Sequence, residues 1–260
     1  MIEKVIHYCW FGKGEMSNKM KKCLNSWKKY CPNYRIIEWN EDNFDIESTQ
    51  WTKEAYAVKK YAFVSDYVRL KVLYEHGGIY MDTDVELIKP IDPFLKHHAF
   101  SGFEGPESAP TGIIAAEKNH HVIKRWLDWY KDRPYLVESR PNMDPNVSFM
   151  TADLIEHGLV MDNTKQVVDD MIIYPQTFFC PLYLDKFETC MSRNTVCIHH
   201  FTSTWRSAEE LKKFRKAKFR NEKWYQKLEY IVYYIRYFPQ KSLRKILGDE
   251  MIESIKKRVK

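Results

Sequence analysis

The hydrophobic and polar positions change period several times along the chain, and each change marks an element. Residues 4–11 are almost continuously apolar, the pattern of a strand buried on both faces. A helical spacing follows from Ser17, a residue suited to an N-cap, with Met20, Cys23, Leu24, Trp27 and Tyr30 on one face and a stop at Cys31-Pro32. Residues 34–39 read as a second strand. Strand, helix and strand within about 40 residues form a βαβ unit, which implies a parallel sheet and a right-handed crossover. Residues 40–46 are polar and turn-forming, and 51–60 read as a short helix. Phe63, Tyr67, Leu70, Leu73 and Tyr74 then recur at helical spacing until Gly77-Gly78 supplies the unrestricted backbone that ends the helix, and Ile79-Tyr80-Met81 follows as a short buried strand. Further strands are expected at 85–88, 99–103 and 111–116, amphipathic helices at 119–132 and 147–156, and a last strand before His199-His200. The alternation predicts an α/β fold with a mainly parallel sheet flanked by helices.

Charge divides the chain unevenly. Residues 206–260 carry 17 Lys and Arg against 7 Asp and Glu, a net +10 against the whole chain's +6, so residues 1–205 are net −4. One catalytic domain over 1–205 and a basic helical extension over 206–260 are expected, since 260 residues bury one substantial core with an appendage. In the tail, Trp224, Leu228, Ile231, Val232, Ile235 and Phe238 recur at helical spacing before Pro239. Two readings fit this basic face: solvated helices packed on the catalytic domain, or a peripheral contact with an anionic membrane surface. No module for nucleic acid accompanies the charge, so no nucleic-acid partner is expected. No apolar run approaches the ~20 residues that span a bilayer. The apolar start is too short, and too soon followed by Gly12 and charges, for a targeting segment. Six cysteines without a CxxC pair suit reduced thiols in a cytoplasmic protein, which the basic tail could hold at the inner face of the membrane.

The chemistry-bearing residues cluster around the central helix–turn–strand. Asp82 and Asp84 end the Ile79-Tyr80-Met81 strand two residues apart, and carboxylates that close repel unless a cation or a proton separates them; a hard divalent ion with oxygen ligands is the natural solution. Upstream, Asp66 and Arg69 are three apart on one helix face, the spacing of an intrahelical ion pair. Trp10 stands at the carboxyl end of the first strand, where ligands gather in open α/β sheets, and is either a platform for a base or core. His7 reads as a satisfied strand histidine. His199 and His200 are adjacent, so on a strand they face opposite ways and at most one binds an ion. Neither GxGxxG nor GxxxxGK[ST] occurs, so phosphate recognition falls to metal and side chains.

The string SDYVRLKVLYEHGGIYMDTDVE resembles the SDxxR…GGxYxDxD pattern of family 32 of the glycosyltransferases, a group that includes fungal mannosyltransferases, bacterial capsule enzymes and, more distantly, glucosylating toxins. The family's opening IHxxWFG segment is matched at 6–12, and a closing [D/E/H]-x-x-S-x-W segment is matched by His200, Ser203 and Trp205. The resemblance implies a GT-A-like, Rossmann-type domain. It implies metal-dependent, configuration-retaining transfer from a nucleoside diphosphate sugar, a UDP-sugar favoured over a GDP-sugar, to a hydroxyl of a saccharide or lipid-linked saccharide in surface polysaccharide synthesis. Its roles carry over as follows: Asp84 holds Mn²⁺ or Mg²⁺ against the diphosphate, Asp82 contacts ribose and sugar hydroxyls with a share of the ion, Asp66 and Arg69 hold the donor sugar, and Trp10 stacks on the base. His200 and Ser203 complete the metal shell, and the Trp205 indole reaches the diphosphate. The resemblance thus chooses His200 over His199. It also gives Thr111, at the start of the strand over 111–116, a place near the sugar.

Two rivals come from other classes. The strand-terminal DxDxV resembles the first motif of haloacid-dehalogenase-like phosphatases, where Asp82 would be the nucleophile and Asp169-Asp170 the further acidic pair. A non-catalytic sugar-nucleotide-binding scaffold is the other, and it has no reason to keep a full set of metal ligands.

Overall fold

The computed structural model describes residues 1–182 and 190–202. Strand β1 (Val5–Cys9) leads to helix α1 (Asn18–Tyr30), whose first turn is capped by Ser17 accepting from the Met20 amide. The helix buries Met20, Cys23 and Trp27 and returns the chain to β2 (Arg35–Trp39). β1 and β2 pair in parallel from Val5 opposite Arg35 to Cys9 opposite Trp39, as the βαβ reading requires. Helix α2 (Gln50–Ala57) starts on a Thr49 cap and leads to α3 (Tyr61–His76). α3 stops at Gly77 and Gly78, both at positive φ, and a Cβ on Gly78 would lie 2.8 Å from the Val5 carbonyl. Only glycine permits both the turn and the close approach of β3 (Gly78–Met81) to β1.

The remaining elements are β4 (Val85–Leu87), β5 (Ala99–Gly102), β6 (Ile113–Ala116), α4 (His121–Asp128), a small hairpin of β7 (Leu136–Val137) and β8 (Arg140–Pro141), α5 (Asn146–Glu156), β9 (Gln166–Val168), β10 (Met171–Tyr174), α6 (Gln176–Phe179) and β11 (Cys197–His199). Seven strands form one sheet in the order β2-β1-β3-β6-β5-β10-β9. Five run the same way, while β6 and β9 run against their neighbours, so the sheet is mixed and mainly parallel, as expected. Its two faces are covered separately, and the period of two along each strand sorts the residues: Tyr80, Ile114 and Ala116 join the core under α2, α3 and α4, whereas Ile79, Met81, Ile113 and Ala115 join the core with Trp27, Phe94 and Phe179. The fold is an α/β domain, a mostly parallel sheet flanked by helices.

β4 lies outside this sheet and pairs antiparallel with β11, Val85 opposite His199. The six cysteines form no disulfide. Among the described residues no helix is long and apolar enough to cross a membrane. The expected helices of the basic extension 206–260, with Ser203 and Trp205 before it, lie outside the described residues.

Candidate active site

The direction of β6 decides what meets at one end of the sheet. β1 and β3 end there just before Trp10 and Asp82, β5 ends there two residues before Glu104, and Thr111-Gly112 leads there into the antiparallel β6, with the Asp82 amide donating to the Gly112 carbonyl at 2.9 Å. An open cleft of about 890 Å³ lies over these ends, lined among others by Trp10, Asp66, Arg69, Asp82, Asp84 and His199. This is where the strand topology of an open α/β sheet leaves room for a ligand.

One side of the cleft floor is a chain of alternating charge. The Arg69 guanidinium lies 3.0 Å from Asp66 Oδ1 and 3.0 Å from Asp82 Oδ1, and stacks over the Tyr80 ring at 4.9 Å. The i, i+3 spacing within α3 supplies the first contact and the end of β3 the second. Burial pushes the Asp66 carboxyl up to about 6, against the pull of Arg69 and with a further push from Asp82. Burial also raises Asp82. It works against charge on Arg69, yet the two aspartates hold that group protonated. One cation is therefore shared by two carboxylates, which keeps both side chains oriented at the cleft.

The other side gathers metal-binding donors. Asp82, Asp84 and His199 each offer a ligand atom, all within 4.8 Å of one another. His199 Nε2 is 3.3 Å from Asp84 Oδ1 and 4.0 Å from Asp82 Oδ2. Burial alone would raise Asp84, but His199 and the two Thr202 donors hold it well below the ordinary carboxylate range: the Thr202 amide donates to Oδ2 at 2.6 Å and its hydroxyl at 2.8 Å. Burial opposes a charge on His199, and Asp84 overrides it, raising the imidazole. Two carboxylates and an imidazole, converging at a cleft, are a donor set that Mn²⁺ accepts, and the residues present therefore fit a divalent ion.

The expectation that His200 is the metal-side histidine is corrected here. Strand alternation turns His200 away from the aspartates, and its Nε2 pairs with Glu86 at 2.8 Å while Lys22 meets the same carboxylate at 3.1 Å. The register of β11 on β4 puts His199 there instead. Ser203 and Trp205 lie outside the described residues. Asp66, Arg69, Asp82 and Asp84 are brought together as expected. Trp10 lines the cleft half-buried, its indole donating to the Gly14 carbonyl at 2.6 Å. The loop after it is clamped, because the Gly12 amide donates to Glu41 and a Cβ on Gly12 would strike the Tyr61 ring. Thr111 also lines the cleft, buried, with a hydroxyl that lacks a hydrogen-bond partner. His7 is the satisfied strand histidine expected, bonded to Trp39 and Gly77. Asp169, needed beside Asp82 by a phosphatase, instead pairs with Arg125 at 3.0 Å and does not line the cleft. Glu104 and Thr202 escaped the sequence reading, signalled only by their places near strand ends, and Tyr80, the tyrosine of the GGxYxDxD pattern, was read as a strand residue without a role.

Residues 17–101 match the family of glycosyltransferase sugar-binding regions containing a DXD motif. The chain is 28% identical over 130 residues to inositol phosphoceramide mannosyltransferase 3 of Schizosaccharomyces pombe, covering 47% of this chain and 35% of that protein. It is 27% identical over 227 residues to an uncharacterized glycosyltransferase of Acanthamoeba polyphaga mimivirus, covering 79% of this chain and 84% of the relative. The chain thus spans about a third of the length of the mannosyltransferase it matches. Among solved structures, the PaToxG glycosyltransferase is similar with a TM-score of 0.42 and 20% identity, over 60% of this chain and 69% of that one.

Proposed function

We propose that this chain, whose family match and relatives support a DXD-type glycosyltransferase, is a metal-dependent enzyme that moves a sugar from a nucleoside diphosphate donor to a hydroxyl acceptor with retention of anomeric configuration. The observation that carries the reading is the convergence of Asp82, Asp84 and His199 beside the Asp66–Arg69 pair in one cleft. The finer placement in family 32 rests on the SDxxR and GGxYxDxD residues.

Asp84, Asp82 and His199 would hold Mn²⁺ or Mg²⁺, which when bound supplies electrostatic stabilisation for a departing diphosphate. The chain's own residues do the rest. Arg69, fixed between Asp66 and Asp82, orients both carboxylates as acceptors for sugar and ribose hydroxyls, a pre-organisation that costs nothing at the moment of reaction. The Trp10 ring, held by its own indole bond to Gly14, offers a stacking face to the base. Thr202 fixes the rotamer of Asp84. Retention proceeds by a front-face path in which the leaving phosphate takes the acceptor proton.

The donor is a UDP-sugar by the motif resemblance, and the mannosyl transfer in the relatives' names makes a GDP-sugar the comparison to run. The acceptor is a saccharide or lipid-linked saccharide of surface polysaccharide synthesis, and the basic 206–260 segment docks peripherally on anionic lipid at the inner face of the membrane. Donor hydrolysis and transfer, measured across UDP- and GDP-sugars with Mn²⁺ and then with EDTA, test the core of this reading. Activity that survives EDTA overturns the metal requirement, and turnover of a phosphomonoester in place of any nucleotide sugar overturns the reaction class. Co-sedimentation with vesicles containing anionic lipid tests the docking.

A further inference from the structure

Glu104 stands two residues after β5, on a loop that no motif in the sequence marks. Its backbone is pinned on both sides: the amide donates to the Ser108 carbonyl at 2.8 Å, and the carbonyl accepts from Gln176 Nε2 at 3.1 Å and from the Cys180 thiol at 3.5 Å. The carboxylate that this pinning presents to the cleft has Oε1 3.3 Å from His199 Nδ1, the ring nitrogen opposite the one that faces Asp82 and Asp84. Among the described residues Glu104 is the only acidic side chain paired with that nitrogen. The Cys180 thiol also faces the ring, and burial keeps it neutral.

The imidazole is confined on its other sides as well. Phe201 stacks on it with ring centres 4.0 Å apart, and Gly112 passes so close that a Cβ there would lie 3.0 Å from Cε1 and 3.1 Å from Nδ1. These contacts fix where the ring lies, but steric contacts leave open which nitrogen carries the proton, and a histidine ligates a metal only through an unprotonated nitrogen. A carboxylate 3.3 Å from Nδ1 decides that question once an ion displaces the Nε2 proton that Asp84 holds in the metal-free protein: it favours the remaining proton on Nδ1 and leaves the Nε2 lone pair to the ion.

From this geometry we infer that Glu104 is a positioning residue for the metal centre, orienting His199 through Nδ1 so that Nε2 completes the Asp82–Asp84 donor set. The inference rests on the metal-dependent reading above. It assigns to the loop 103–110 a task that the DXD segment cannot perform for itself, because the third donor comes from a strand far along the chain.

The test uses Co²⁺ and Mn²⁺ alone, with the full chain freed of metal by EDTA and dialysed, and no nucleotide present. Wild type should bind one Co²⁺ with visible d–d bands. Glu104→Ala should weaken both ions by about 10- to 100-fold and change the Co²⁺ spectrum, the usual cost of losing an outer partner of a ligating histidine. Glu104→Gln keeps a carbonyl acceptor for Nδ1–H and should stay within about 3-fold of wild type with the wild-type spectrum. Glu104→Leu, of similar volume, should repeat the loss if the alanine variant does not fold. Wild-type affinity and spectrum in the alanine or leucine variant overturn the inference. So does a glutamine variant as weak as alanine, which would make the charge and not the orientation the cause. Wild type that binds neither ion overturns the metal-dependent reading itself and the inference with it, a result distinguishable from failure of the Glu104 role alone.

Discussion

Val85 lies directly opposite His199 in the antiparallel ladder of β4 and β11, and this register carries an imidazole from a distant part of the chain to the carboxylates that end β3. The same ladder hands the His200 amide to the Asp84 carbonyl at 3.0 Å, so the turn between the two aspartates is held by the closing strand. The site is therefore split between the central helix–turn–strand and a partner strand, and neither half is complete alone.

This pairing reverses a simple expectation about Asp84→Asn. Two close aspartates suggest that removing one charge relieves repulsion and leaves stability unchanged or higher. In the structure Asp84 is held by His199 and by two Thr202 donors, and its carboxyl sits below the ordinary range. Its stabilisation is present above the unfolded carboxylate pKa of about 4 and is lost as pH falls through the lower folded value. At neutral pH, Asp84→Asn should lower the metal-free stability by about 1–3 kcal/mol, the scale of a charged hydrogen bond, and abolish Mn²⁺ binding. Denaturant unfolding in EDTA and calorimetric Mn²⁺ titration check both parts; unchanged stability would mean that the His199 contact contributes nothing.

Gly112→Ala tests how closely the centre is packed. Gly112 lies outside the left-handed region, so alanine brings no backbone strain, but its methyl would sit 2.8 Å from Asp82 Oδ2 and 3.0 Å from His199 Cε1. Both donors must shift by several tenths of an ångström. The variant should fold with near-wild-type helix content by circular dichroism and lose about 10-fold or more in Mn²⁺ affinity, on the scale of a disturbed ligand shell. Wild-type affinity would show that the donors can yield without loss.

Two histidines set the acid limit of the fold. His7 is buried, its Nδ1 accepts from the Trp39 indole at 3.1 Å, and Nε2 therefore carries the proton and donates to the Gly77 carbonyl at 2.9 Å. Burial lowers it to about 4. His120 caps α4 by accepting from the Val122 amide, its buried Nε2 lacks a partner, and burial lowers it to about 4 too. In both cases the unfolded chain takes up the proton first, so stability is complete above about 6.5 and falls as pH drops from about 6.5 towards 4. Each group steepens the fall by up to ~1.4 kcal/mol per pH unit. Denaturant unfolding between pH 4 and 7 should show this slope, and His7→Gln should reduce it; an unchanged slope would remove His7 from the account.

Trp10→Ala isolates base recognition. If the indole stacks on the base, free UDP or GDP should weaken as much as the whole donor sugar, by about 1–3 kcal/mol, because stacking is indifferent to the sugar. Unchanged nucleotide affinity would make the half-buried ring a wall of the cleft and nothing more.

Much of this was legible in the sequence because it is local. Ser17, the Met20-Cys23-Trp27 spacing, Gly77-Gly78 and the Asp82–Asp84 pair each write their structure within one or two turns of chain, and the βαβ unit followed from them. What could not be read depended on pairing between distant segments. The antiparallel entry of β6, which brings Thr111 and Gly112 to the site, is silent in a strand that reads the same in either direction. The choice between His199 and His200 was open on alternation alone and turned on the register of β11 against Val85, which the closing-motif resemblance assigned to the wrong face. Glu104 sits in a loop whose only signal is that it follows a strand.

Thr202 gives the last test, because it separates the rotamer of Asp84 from its charge. Its amide and hydroxyl both donate to Asp84 Oδ2, leaving Oδ1 to face His199. Thr202→Val keeps the amide bond and the β-branched shape and removes only the hydroxyl bond. Metal-free stability should fall by about 1 kcal/mol, the value of one hydrogen bond to a charged group at its lower end. Mn²⁺ affinity should fall less than in Asp84→Asn, since the charge stays and only its orientation loosens. Thr202→Ser, which restores the hydroxyl, should recover most of both losses. The measurement is unfolding in EDTA and Mn²⁺ titration for the three proteins, with amide exchange at residues 199–202 as the local readout. If valine and serine variants behave alike, the hydroxyl does not hold Asp84, and the orientation of that carboxylate is set by the Thr202 amide and His199.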